Sequence, residues 1–135
     1  MREILFRGKR VNNGVWVEGC LLIDDMFADK SKWNYDIVFR NKRMAKDKAM
    51  VISSTVGQYT GLTDKNGTRI FDGDICCFCN EDDEYTNYEV MWFTNKWVVV
   101  MCGTNIADDL DLFFCKRAVV IGNIHDNPEL LEESK

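Results

Sequence analysis

Proline is almost missing from this sequence: Pro128 is the only one in 135 residues, and histidine also occurs once, as His125. With one proline, near the end, there is no Pro-rich linker, and neither a low-complexity tract nor a repeat separates one part of the chain from another. With one histidine, every scheme that needs an imidazole base depends on a single position. Long apolar runs are missing too. The longest clean one, Trp97–Cys102, falls far short of the roughly 20 residues of a membrane helix. The opening MREILFRGKR lacks the apolar centre of a secretory leader. A cytoplasmic chain is therefore expected.

What is present suits a folded domain. Hydrophobic residues make up 46% and charged residues 29%, the mix of a protein with a core, which excludes disorder, a coiled coil and a collagen-like rod. A chain of this length buries roughly two-thirds of its unfolded surface, so it needs no staples. The net charge of −5 is divided unevenly: residues 1–54 carry 11 Lys/Arg and 7 Asp/Glu (+4), and residues 55–135 carry 6 and 15 (−9). Such asymmetry marks either a partner surface or two halves that attract one another, the plainer reading. Six cysteines, Cys20, Cys76, Cys77, Cys79, Cys102 and Cys115, mostly lie in or beside apolar runs, where free cysteine acts as a small hydrophobe. Adjacent Cys76 and Cys77 would face opposite sides of a strand. Free, buried thiols in a reducing compartment are expected.

Between turn signals the segments are short and read with period two. Ile4–Val11 and Val15–Ile23 flank Asn12–Asn13–Gly14, whose Asn-Gly supplies positive φ, and so predict a hairpin. Tyr35, Ile37 and Phe39 alternate with polar neighbours as a half-buried strand. Residues 41–48 read as a basic loop, Ala49–Ser53 as a strand, and Thr55–Asp74 as turn-rich. Strands are expected at Ile75–Cys79, at Tyr88–Phe93, and at Trp97–Cys102, which is apolar on both faces and so central. Residues 106–115 fit either a helical stripe (Ile106, Leu110, Phe113) or a strand face (Leu110, Leu112, Phe114); a short helix before a strand at Ala118–Ile124 is favoured. Asn127 as N-cap, Pro128 at the first position and Glu129 in the first turn predict a short helix over Pro128–Glu133. The class is mostly β.

Three groups of residues resemble the YopX family of phage and prophage proteins. They are Val56–Leu62 running through Asp64–Gly67 to Ile70–Ile75, the opening Ile4–Lys9 with Gly14–Gly19, and the ending Val120–Ile124 with Asn127–Leu131. They span nearly the whole chain, in order. The resemblance implies a small β-rich protein whose C-terminal part is an SH3-like β-barrel, and it implies no catalytic residue. The expected architecture is an N-terminal β-hairpin subdomain over residues 1–54, then an SH3-like barrel with a short C-terminal helix over 55–135. The strand after Gly73 departs from the family in reading Cys76–Cys77–Phe78–Cys79.

Chemistry finds little support. Cys76, Cys77 and Cys79 with His125 lack the paired knuckles of a zinc site, and a cysteine nucleophile would depend on His125 alone. Asp64, Asp72 and Asp74 sit in turns, where aspartate caps its own backbone. No catalytic, cofactor or metal residue is assigned, and no enzyme is expected. Two basic clusters, Arg7, Lys9 and Arg10, and Arg40, Lys42, Arg43, Lys46 and Lys48, with Trp16, Trp33 and Tyr35, could form a stacking surface for nucleic acid. The acidic balance argues against it. An accessory protein that acts by binding is expected, with copies of itself or a host or phage protein as partner and nucleic acid as the alternative. Trp33, Arg40, Lys42 and Arg43 are the candidate partner surface.

Overall fold

The computed structural model describes residues 3–132. The chain divides into two compact units, Met1–Tyr59 and Thr60–Lys135.

The first unit is built of antiparallel hairpins. β1 (Phe6–Lys9) and β2 (Trp16–Asp24) pair from Phe6↔Gly19 to Lys9↔Trp16. The turn between them is closed by Arg10 N–H donating to the Val15 carbonyl at 2.9 Å, with Gly14 at φ +69°. That left-handed angle is the one Asn-Gly was read to supply. β2 next pairs with β3 (Asn34–Arg40), and β3 with β4 (Lys46–Met50). β4 starts earlier than the basic-loop reading allows, and the strand expected at Ala49–Ser53 ends at Met50. The reason is the turn: the Asn41 side chain accepts from the N–H groups of Arg43 and Ala45, and Met44 takes φ +62°. Five residues suffice to reverse the chain, so Lys46 already lies opposite Arg40. Ser53–Thr55 is a single 3-10 turn whose Thr55 hydroxyl accepts from Lys9 N–H at 2.9 Å.

The stretch read as turn-rich holds two strands, β5 (Gly57–Thr63) and β6 (Arg69–Phe71). Four glycines and four threonines between 55 and 74 concealed them, because glycine is depleted in strands. Along the sheet the order is β4-β3-β2-β1-β5, and β6 follows on β5.

In the second unit the remaining strands form a five-stranded sheet of order β10-β9-β8-β7-β11. Its members are β7 (Asp74–Cys79), β8 (Tyr85–Phe93), β9 (Lys96–Met101), β10 (Ala107–Asp109) and β11 (Ala118–Asn123). β9 has neighbours on both sides, as its two apolar faces predicted. β8 begins three residues before the expected start. Among the described residues β10 and β11 end the sheet, and no closed barrel is found. The ambiguous stretch splits into both options: β10, then one turn of helix, α1 (Leu112–Cys115), capped by the Asp111 carboxylate accepting from Phe114 N–H at 2.9 Å. Neither predicted stripe is the buried one. Leu110, Phe114 and Cys115 go inside, while Ile106, Leu112 and Phe113 are exposed. At the end, the short helix expected from Pro128 is a single 3-10 turn, Pro128–Leu131. Asn127 stands at the cap position, but its side-chain oxygen accepts backwards from Asn123 N–H at 3.2 Å. Glu133 lies outside the described residues.

The second unit's core gathers Ile70, Cys76, Val90, Val99, Leu110, Phe114, Cys115 and Ala118. The thiols differ from the expectation in burial: all six are free, but Cys20 is exposed and Cys77 and Cys79 are half-buried. Alternation along β7 sends Cys76 inward and its neighbour Cys77 to the other face.

Candidate functional site

Trp33, Arg40, Lys42 and Arg43 are not brought together. Trp33 precedes β3, where its indole N–H donates to the Phe27 carbonyl at 2.7 Å and the Lys30 ammonium lies 5.6 Å from its ring. Arg40 ends the same strand and donates to the Met44 carbonyl at 2.9 Å, beside exposed Lys42 and Arg43. Seven residues of extended chain, roughly 23 Å at 3.3 Å each, separate the aromatic from the basic hairpin. The other basic cluster is already stacked: Arg7 and Lys9 lie 4.7 and 5.7 Å from the Trp16 ring, and Arg10 lies 5.3 Å from Phe39.

Around Trp33 is a feature that charge-led reading overlooked. Leu22 and Ile23 are adjacent on β2, so they point to opposite faces, yet they are 51% and 40% exposed. Met26 and Phe27 follow, 85% and 53% exposed. This end of the ribbon is apolar on both faces. The sequence signal was the break in alternation at Leu21–Leu22–Ile23.

The cysteine schemes fail on geometry and on ionisation. β11 runs antiparallel to β7 with Asn123 opposite Asp74, so His125 lies past the Asp74 end, while Cys79 ends the strand roughly 17 Å away. Burial pushes the Cys115 thiol up to about 11, and burial followed by the Asp74 carboxylate pushes Cys76 higher still. Burial, then Cys79, also raises Cys77. A nucleophile needs the opposite shift. The hallmark aspartates are structural: Asp64 accepts from Asn66 and Thr68 N–H through one oxygen and from Val120 N–H through the other, and Asp74 accepts from Phe71 N–H at 2.7 Å.

One cavity of about 400 Å³ opens on the second unit. Phe78, Tyr88, Phe113 and Phe114 wall it, with Asp108, Asp109 and Asp111 along one side. Phe78 stacks parallel to Phe114 at 5.1 Å, and Tyr88 meets Phe114 edge-on at 5.4 Å. Burial, then the Asp108 charge, raises the Tyr88 phenol, so it stays protonated. Nothing in the sequence spacing announced this site, because its lining comes from four strands and a helical turn.

These features define a mostly β protein of two antiparallel sheets with one short α-helix among the described residues, in which no described helix is long and apolar enough to cross a membrane. The chain belongs to the YopX protein family, whose pattern it matches over residues 5–132. It is also similar in fold to the crystal structure of protein EF1440 from Enterococcus faecalis, with a TM-score of 0.53, 24% identity, 98% of this chain and 100% of that one. No curated protein matches it.

Proposed function

We propose that this protein is a phage or prophage accessory protein of the host cytoplasm that acts by binding and performs no catalysis. Its first partner is another copy of itself. The second unit is proposed as an opened relative of the SH3-like barrel, on the strength of five antiparallel strands with a bulge in the last one, between Val120 and Gly122. The observation that carries the binding reading is the β2 end, where Leu22, Ile23, Met26 and Phe27 are exposed together. Apolar side chains on both faces of a ribbon attract a covering surface, and a second copy of the same ribbon supplies a self-complementary one.

Light scattering after size exclusion, at low and high salt, tests this. An oligomer in both conditions is expected, because an apolar interface is not screened. The doubly substituted Met26→Ser, Phe27→Ser chain, altered only at exposed positions, should elute as a smaller species. A monomer in both salts overturns the reading. Nucleic acid is the second reading and rests on Arg40, Lys42 and Arg43 with Lys46 and Lys48 of β4, all exposed. It requires binding that weakens steeply as salt rises.

A further inference from the structure

β10 is exposed along its length, yet it carries a carboxylate on the face it shares with two core valines. Asp108 pairs with Val99 on β9, and Val99 pairs in turn with Val90 on β8. Residues opposite one another in a sheet share a face, and both valines are at most 1% exposed. Asp108 therefore stands on the core-facing side of the sheet, at the mouth of the cavity walled by Phe78, Tyr88, Phe113 and Phe114. Its two acidic neighbours are engaged: Asp109 pairs with the Lys96 ammonium at 2.8 Å, and Asp111 caps α1. Asp108 has no hydrogen-bond or ion-pair partner among the described residues. An inward charge on the last strand of a sheet also discourages edge-to-edge pairing, but that role does not require an aromatic-walled cavity beside it.

Aromatic faces joined to a carboxylate select organic cations. Ring faces attract a delocalised or alkylated cation, and the carboxylate balances its charge. The unit already shows the preference, since the Arg117 guanidinium lies 5.2 Å from the Phe113 ring. The cavity's volume falls within the range of sites that hold small ligands. We propose that this cavity binds a guanidinium or alkylammonium head group, with Asp108 as counter-ion and the rings of Tyr88 and Phe113 as walls. The head group is either a free cation or an arginine or lysine side chain presented by a protein segment.

Titration of the full-length protein with argininamide, followed by amide and side-chain NMR shifts, tests the proposal, with the neutral isostere citrullinamide as control. Saturable shifts confined to Asp108, Phe113, Phe114 and Tyr88 are expected, with citrullinamide at least about tenfold weaker, the ratio that 1.4 kcal/mol corresponds to. At exposed positions, Phe113→Leu should weaken argininamide about three- to fivefold, the range of a cation–π contact, and Asp108→Asn about two- to fivefold, the range of an exposed ion pair. Equal shifts from the two amides, shifts scattered over the acidic surface, or no saturation would overturn it and leave Asp108 an edge guard. Given a saturable site, a peptide of residues 39–47 of this chain separates the sources. Binding tighter than argininamide indicates a protein-borne side chain, and equal binding indicates a free head group.

Discussion

Glu89 shows how one side chain records the field around it. It lies on β8 between Ile75 and Val100, and burial, followed by the charge of Asp72, raises its carboxyl from 4.5. A raised carboxyl pKa means the fold favours the neutral form. Its contribution is fully present below about 4.5 and is lost as pH rises through the folded value. Glu89→Gln keeps the neutral shape at every pH. The variant should melt above the parent at pH 7.5 by roughly 1–3 °C, a figure kept small because Glu89 is only half-buried and solvent screens it. At pH 4 the two melts should coincide. Scanning fluorimetry at both values checks it, and a variant less stable at pH 7.5 would show that the carboxylate has a partner in the fold. Such a residue is not legible in the sequence, where Glu89 is simply the acidic member of the strand YTNYEVMWF.

At the scale of elements, legibility followed the turns. Asn12–Asn13–Gly14 dictates its backbone angles locally, so the hairpin it closes could be read directly. β5 could not be, because Gly57, Gly61 and the threonines carry no apolar alternation; Asp64 holds its turn through bonds that reach Val120, 56 residues on. The same holds for sites. Arg40, Lys42 and Arg43 are close in sequence and in space, whereas Trp33 shares only their middle stretch of the chain and sits at the other end of β3. Phe78, Tyr88, Asp108 and Phe113 are scattered in sequence and meet only through strand pairing. Packing between elements explains Gly19 in the same way. A methyl group there would run into the Val38 carbonyl, with the carbonyl carbon at 2.9 Å and Ile37 Cγ2 at 3.0 Å. Gly19 is what lets β3 approach β2. Because the obstruction is backbone, Gly19→Ala should cost about 3 kcal/mol or more, the upper range of overpacking. Hydrogen exchange should show lost protection along Cys20–Asp24 and Asn34–Val38. Unchanged protection there would mean that the strands can separate slightly at no cost.

On the scale of the whole molecule, charge distribution sets a prediction that does not depend on any partner. Residues 55–59 carry no charge, so Met1–Tyr59 holds +4 and Thr60–Lys135 holds −9. Self-repulsion within a compact body grows with the square of its net charge, so the second unit bears roughly five times the repulsion of the first. The turn Glu81–Glu84 and the run Asp108–Asp111 concentrate it, and the raised Glu89 and Tyr88 both feel acidic neighbours. Salt relieves this repulsion: the screening length falls from about 30 Å at 0.01 M to about 8 Å at 0.15 M. Amide protection in β7, β8 and β9 should therefore rise about three- to tenfold between those concentrations, and protection in β1–β4 should change far less. Hydrogen exchange on the intact chain reads both units in one experiment, so each serves as the other's control. Equal gains in both would point to a general salt effect on burial. A loss in the second unit would mean that ion pairs such as Lys96–Asp109 outweigh the repulsion, in which case the acidic surface stabilises the unit and the cavity's carboxylates are balanced within the chain.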